Sequence, residues 1–137
     1  MSDSLTTDAV QQIKPITILQ SINAALADAM ADDEKVVILG EDVADPEEGG
    51  IVGVTKGLST RFGEKRVRST PISEQAIIGA AIGASLVGYK PVAEIMLMNF
   101  TTVAMDMIVN HSAPDSVPQD LNNVRNDTIS AAVFFIL

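Results

Sequence analysis

Three acids in this chain stand where a carboxyl group could do chemistry as well as carry charge. Glu41 opens a loop directly behind the apolar run Val36-Val37-Ile38-Leu39-Gly40, Glu74 begins an apolar stretch behind Thr70-Pro71-Ile72-Ser73, and Glu94 lies inside a further apolar run. A carboxyl in a half-buried place loses hydration, holds its proton more tightly, and can share it with a ligand nitrogen. Glu74 answers best to this description because the residues after it are almost wholly apolar, and Glu94 is the same case in weaker form. Plainer readings stand beside these. An acid in the first turn of a helix is favoured by the macrodipole whatever else it does. Asp42, Asp45, Glu47 and Glu48 read most simply as a solvated loop, without the oxygen-donor spacing of an EF-hand.

Other chemistries lose support from composition. Cysteine is absent, which removes disulfides, thiolate metal sites and Cys nucleophiles together, and the lone His111 cannot form a multi-histidine metal site. His111, late in a helical stretch, reads as a solvated or helix-end residue. Met96, Met98, Met105 and Met107 read as core filler or a subunit contact. No Gly-x-Gly-x-x-Gly, Walker A loop or Gly-x-Ser-x-Gly occurs, so a dinucleotide site, an ordinary NTPase and a serine hydrolase all recede. Eighteen Asp and Glu against nine Lys and Arg give a net charge of -9, which repels phosphate backbones and anionic membranes. Neither nucleic acid nor a membrane is expected as a partner. No apolar run approaches the ~20 residues needed to span a bilayer, and residues 1–12 carry two Asp and no Lys or Arg. A cytoplasmic location is the expectation.

The elements that must position the three acids are legible. The chain has 137 residues, 47% of them hydrophobic, only 4% aromatic and none Trp, so one domain core is packed from aliphatic side chains and Met. Residues 1–15 read as a flexible lead-in. Thr17 and Gln20 have capping-box spacing ahead of Ile18, Leu19, Ile22, Ala25, Leu26, Ala29 and Met30 at helical intervals. Residues 36–40 read as a strand covered on both faces, 41–50 as a loop, 54–62 as a short helix closed by Gly63, and 66–70 as a second strand. Ser73 caps a helix over 74–88. Its Ala76, Gly79, Gly83 and Val87 share one face, and close approach of another backbone would compensate for glycines that each cost about 1 kcal/mol in a helix. A third strand over 91–98 and a helix over 100–112, with Val103, Ala104, Met107 and Ile108 inward, complete the alternation. This pattern predicts an α/β fold with a parallel sheet and helices on both faces. Beyond Pro114 the texture becomes Pro-, Asp- and Asn-rich, and the closing apolar run at 129–137 admits a short strand.

In order along the chain, Gly40-Glu41-Asp42-Val43-Ala44, Gly49-Gly50, Val54-Thr55-Lys56-Gly57-Leu58, Phe62-Gly63, Arg66-Val67 and Thr70-Pro71-Ile72-Ser73-Glu74 form a specific set. Gly79-Ala80-Ala81-Ile82-Gly83-Ala84, Gly88, Pro91, Glu94, Phe100, Ala104-Met105-Asp106 and Asn110 continue it. The set resembles the beta subunit of the thiamine-diphosphate-dependent component of 2-oxo acid dehydrogenase complexes, of the pyruvate, branched-chain and acetoin type, over residues 16–113. The resemblance implies the first part of a transketolase-like pyrimidine-binding domain and an oxidoreductase that decarboxylates a 2-oxo acid and passes the acyl group to lipoyl groups. It also implies that Glu74 is the catalytic acid, hydrogen-bonding a ring nitrogen of the cofactor's aminopyrimidine and favouring the imino tautomer that activates the thiazolium carbon. By the same resemblance Ile72 props the bent cofactor, Phe100 lies beside the aminopyrimidine, and Glu41 is an acid near it. Partners are implied as well: an alpha subunit, in a heterotetramer, and the lipoyl acyltransferase component.

Three features qualify the resemblance. The diphosphate end of the cofactor requires Mg²⁺, and its usual Gly-Asp-Gly signature is absent here, so the resemblance implies that thiamine diphosphate is shared and Mg²⁺ held by the alpha subunit, with no metal ligand in this chain. Ser69 stands where many relatives have Asp before the Thr-Pro pair, which removes a charge at that point. After Ala113 the resemblance ends, and residues 114–137 read as an unrelated tail on a truncated, incomplete domain. The alternative function on that reading is a non-catalytic remnant or interaction module, with apolar faces of the 76–87 helix and the 91–98 strand left uncovered.

Overall fold

The computed structural model describes residues 15–112 and the backbone of 132–135. The expected lead-in over 1–15, apart from Pro15, and most of the expected tail lie outside the described residues. Helix α1, Ile18–Asp32, starts as its sequence requires: Thr17 is extended and its hydroxyl accepts from the Gln20 backbone N–H, while the Gln20 side chain accepts from the Thr17 N–H. Strand β1 is Val36–Gly40, α2 is Leu58–Phe62, β2 is Val67–Ser69, α3 is Glu74–Leu86 and β3 is Lys90–Ile95. A fourth strand, β4, spans Ala132–Phe135, within the closing apolar run.

All pairings are parallel, in the order β2-β1-β3-β4. Alternate residues of β1 and β3 face opposite sides, and each side carries its own core. Val36 and Ile38 of β1, Val67 of β2 and Val92 of β3 pack with Leu26, Ala27 and Met30 of α1 and Leu58 of α2. On the other face Ala93 and Ile95 of β3, joined by Leu39, pack with Ile77, Ile78 and Ala81 of α3 and with Ala104. The expected parallel sheet with helices on both faces is therefore observed. At the amino-terminal edge Arg66 ties three elements together. Its guanidinium donates to the carbonyls of Met30 and Asp33 at 2.8 Å each and to that of Val36, satisfying acceptors left open where α1 ends.

The structure differs from the sequence expectation in four places. Helix α2 begins at Leu58 and not near residue 54, because Gly53 and Gly57 take left-handed φ of 72° and 86° and break the turn. Strand β3 ends at Ile95. Beyond it the chain forms a 3-10 segment over Met98–Thr102 and a π-helical turn over Met107–His111, with no regular helix over 100–112. Thr101 and Thr102 donate their hydroxyls to the carbonyls of Met98 and Asn99, which tightens the winding locally, and Val103 turns outward while Ala104 is buried. Finally, the small-residue face of α3 is packed only at Gly79, which lies against Met107, and is open at its other end within the described chain. Ile77, Ile78, Ala81 and Ser85 face inward, Val87 is exposed, and an added methyl at Gly83 would meet nothing within 4 Å.

Asp45 is not a solvated loop acid. Its carboxylate accepts from the backbone N–H of Gly57, from that of Thr60 at 2.7 Å and from the Ser59 hydroxyl at 2.9 Å, so it caps α2 from fourteen residues upstream of Ser59. Burial acts to raise its pKa, but the combined hydrogen bonds from Thr60, Gly57 and Ser59 hold it at about 2. A depressed carboxyl stabilises the fold above its unfolded value and ceases to do so as pH falls through the folded one. Asp45→Asn is therefore expected to lose about 1 to 2 kcal/mol in urea unfolding at neutral pH, and the gap to the parent chain should close between pH 3.8 and about 2.

Candidate functional site

Parallel strands deliver their following loops to one edge of the sheet, where ligands of such folds bind. Glu41 follows β1 directly, the segment from Thr70 to Glu74 follows β2, and Phe100 follows β3. The strand order adds a reason to look between β1 and β3. The chain leaving β1 crosses by α2 to β2 on one side, while the sheet continues from β3 to β4 on the other. Connections that diverge in this way leave a crevice at the carboxyl ends of the two strands. Glu41 and Glu94 stand on either side of it.

Glu94 lies on the α1 face of β3, where Val92 is also found, and its residue is only 2% exposed. Gly40, across on β1, has no room for a side chain: an added Cβ would lie 2.9 Å from the Glu94 Cβ. Glycine here lets the strand end pass directly beside the acid. Glu41 is 6% exposed. Among the described residues, Glu41 Oε1, Thr70 Oγ1 and both carboxyl oxygens of Glu94 are buried without a hydrogen-bond partner. Four orphaned polar atoms at one edge are unusual, since buried polar groups are nearly always paired.

Electrostatics follows from that burial. Desolvation pushes the Glu41 carboxyl up, the charges of Glu74 and Asp42 push it further, and the Ser73 backbone N–H works in the opposite direction. Desolvation, then the charges of Glu41 and Asp42, push Glu94 up to about 7. The carboxyls raised by burial are thus Glu41 and Glu94.

Glu74 is half-buried at the first position of α3, where Ser73 caps the helix by accepting from the Ala76 N–H. Its charge is felt at Glu41, so these two acids share one locality. Ile72 lies on the connection from β2 to α3 and is 84% exposed. Phe100 is half-buried and packs against the α3 core. The four residues singled out by resemblance reach the carboxyl edge on three separate connections, and of these only Glu41 and Glu74 are coupled by charge. Ser69, in place of the acid of many relatives, makes a neutral bridge: its hydroxyl accepts from the Ala44 N–H at 3.0 Å and donates to Glu47 at 2.9 Å.

Sequence reasoning missed Asn23 and Thr55. Asn23 donates from Nδ2 to the carbonyls of Val54 at 2.7 Å and Lys56 at 3.1 Å, and the buried Thr55 donates its hydroxyl to the Val43 carbonyl at 2.7 Å. A signal existed for Asn23, a polar residue beside Ile22 and one turn before Leu26 on the apolar face of a helix.

The raised Glu94 has a stability consequence with a definite sign. The unfolded chain loses the Glu94 proton near 4.5 and the folded chain near 7, so stability declines as pH rises between these values and does not return above them. Glu94→Gln is expected to remove that part of the decline and to be more stable than the parent by about 2 kcal/mol at alkaline pH, as read by denaturant unfolding across pH.

Comparison with known proteins agrees with this architecture. The family described as "Transketolase, pyrimidine binding domain" matches residues 14–120. The chain is 50% identical over 98 residues to the 3-methyl-2-oxobutanoate dehydrogenase subunit beta of Mycobacterium tuberculosis, covering 72% of this chain and 28% of that protein. It is 48% identical over 101 residues to the mitochondrial pyruvate dehydrogenase E1 component subunit beta of Chaetomium thermophilum, covering 74% and 26%. It is 42% identical over 108 residues to the acetoin:2,6-dichlorophenolindophenol oxidoreductase subunit beta of Bacillus subtilis, covering 72% and 32%. The chain spans about a quarter to a third of the length of these relatives. With a match over most of its sequence and a parallel sheet that gathers its acids at the carboxyl edge, the chain belongs to the transketolase pyrimidine-binding domain family.

Proposed function

We propose that this chain supplies the aminopyrimidine half of a thiamine-diphosphate site, completed by an alpha subunit, in an oxidoreductase that decarboxylates a 2-oxo acid and passes the acyl group to the lipoyl group of an acyltransferase component. The observation that carries the proposal is the meeting of Glu41 and Glu74 at the carboxyl edge of the sheet, with Glu41 buried and one of its oxygens unpartnered. The names of the relatives, which include 3-methyl-2-oxobutanoate and pyruvate dehydrogenases, support the substrate class.

The residues present fit an aminopyrimidine. Such a ring offers nitrogens that carry or accept protons and two flat apolar faces. In this proposal Glu74 hydrogen-bonds a ring nitrogen and holds a proton there. Glu41, raised by its burial and by the charge of Glu74, takes up a proton more readily, which limits the negative charge at the site. Ile72 would serve as the apolar prop and Phe100 would flank the ring. When bound, the cofactor would supply a nucleophilic carbon and an electron sink for decarboxylation of a 2-oxo acid. Mg²⁺ belongs to the diphosphate end and is assigned to the alpha subunit, because the Gly-Asp-Gly signature is not in this sequence.

A second surface is part of the reading. Ile51, Val52, Ile72, Met98 and Val103 all follow the carboxyl ends of strands and are all about half exposed or more. Apolar side chains gathered on one edge mark a surface that a partner covers, and covering it would also exclude water from the acids.

Titration calorimetry with thiamine diphosphate and Mg²⁺, with and without an alpha subunit of the dehydrogenase type, tests the proposal. Uptake is expected only in the mixture, with Glu74→Ala weakening it at least tenfold. Uptake unaffected by Glu74→Ala would overturn the assignment of the acid, and no uptake in either case would leave a non-catalytic interaction module as the function.

A further inference from the structure

The loop over residues 43–57 covers the end of the sheet that holds Glu94. Its interior is closely tied. Thr55 donates its hydroxyl to the Val43 carbonyl at 2.7 Å and its N–H to the Gly49 carbonyl at 3.1 Å, and the Gly50 N–H reaches the Asp42 carbonyl at 2.6 Å. Gly49 has φ 75°, and a side chain on it would run into the Lys56 backbone at 2.3 Å, so the two arms of the loop are pressed together. Gly50 has φ 83°, and a Cβ there would stand 3.9 Å from Glu94 Oε1 and 4.0 Å from Thr55 Oγ1. The backbone at Gly50 is therefore a wall of the compartment that contains the Glu94 carboxyl. The left-handed backbone favours glycine at both positions, and at Gly49 lack of space excludes a side chain as well.

These bonds hold the loop to itself, while Ser69 and the Asp45 carboxylate tie its first arm to β2 and α2, and Val43 at its start packs into the α1 core. The polar attachment of its second arm to α1 is made by Asn23, whose amide bridges the carbonyls of Val54 and Lys56 from more than thirty residues away in sequence. We propose that Asn23 is a positioning residue of the acid site: by gripping Val54 and Lys56 it seats the 43–57 loop as the cover that keeps water from the Glu94 carboxyl. Two carbonyls on one amide fix both the position and the tilt of the segment that precedes α2. If that grip is lost, Gly50 lifts and water reaches the carboxyl. Desolvation is the first cause of the raised Glu94, so it is the one the cover controls. The titratable groups that face Glu94 are Glu41 and Asp42, both on the segment after β1 and both acidic, and they cannot keep an exposed Glu94 neutral by themselves. An ionised Glu94 would add its charge to that of Glu41 and, through Glu41, burden the position of Glu74.

The functional consequence rests on the cofactor reading above, but its test does not. Carboxyl ¹³C NMR titration of the full chain, with no cofactor present, follows Glu94 and Asp33 in one experiment. Asn23→Asp keeps the size of the side chain and replaces the donor with an acceptor that faces two carbonyls. The Glu94 midpoint, near 7 in the parent, is expected to fall by at least one pH unit while Asp33, outside the loop and held low by hydrogen bonds from Lys90 and the Lys35 N–H, stays where it is in the parent. Asp33 is the control, since general loss of structure would raise it towards the ordinary carboxylate value. A Glu94 midpoint unmoved with Asp33 still low overturns the proposal. Should Asn23→Asp fail to fold, hydrogen exchange on the parent chain decides: Gly50 and Thr55 amides protected as long as the core amides of α3 support the clamp, and free exchange of those two amides overturns it. Because neither measurement involves thiamine diphosphate, failure here leaves the cofactor assignment standing, and failure of the calorimetry leaves the clamp standing.

Discussion

Parallel pairing of β1 with β2 on one side and β3 on the other is the constraint on which the rest of this structure depends. Strands that run the same way release their chains at the same edge, so residues from three distant parts of the sequence meet without any long-range recognition between their loops. An antiparallel partner would have sent one of those connections to the far edge. Parallel pairing also demands crossovers, and these are met by α2 on one face and by α3 on the other. Both faces of β1 and β3 are thereby covered. That burial makes a lone acid such as Glu94 conspicuous, and it gives the acid its unusual proton affinity.

An arrangement of this kind sets function against stability. Glu41 and Glu94 carry orphaned oxygens in a place where water is scarce and where their mutual charge is unfavourable. Nothing in the packing of a simple core requires them. The stabilising terms lie elsewhere: the two aliphatic cores, the Arg66 guanidinium on three carbonyls, and the Asp45 carboxylate on the start of α2. Arg66 and Asp45 are each held by several hydrogen bonds, and their loss would weaken the fold. A division between well-satisfied polar anchors at the periphery and unsatisfied acids at one edge is what a site awaiting a ligand or partner looks like in physical terms.

Much of the architecture was legible in the sequence where the deciding interactions were local. The Thr17 and Gln20 box, the Ser73 cap and the continuous apolar run of β1 all act within a few residues, and each element starts where its signal stands. The segment after β3 was misread as regular helix because hydroxyl groups of Thr101 and Thr102 compete for nearby carbonyls, an effect that apolar periodicity does not register. The stripe of small residues on α3 meets a neighbour only at Gly79, against Met107, and is otherwise open, since a pattern names a face and leaves open what lies against it. Asp45 was read as solvated because its donors come from Gly57, Ser59 and Thr60, across a loop whose closure the residue types do not announce.

Taken by itself, the amino-acid sequence determined the alternation of strands and helices, the ends of the strongest of them, and the short inventory of acids from which any chemistry must come. It did so because hydrogen bonding within a turn and the spacing of apolar residues depend on neighbours along the chain. Which of those acids is dry, which feel one another's charge, and which asparagine holds the cover over them were decided only by the tertiary structure. Desolvation and Coulombic coupling depend on separation through space, and Asn23, Gly50, Glu41, Glu74 and Glu94 come together only after the sheet has formed.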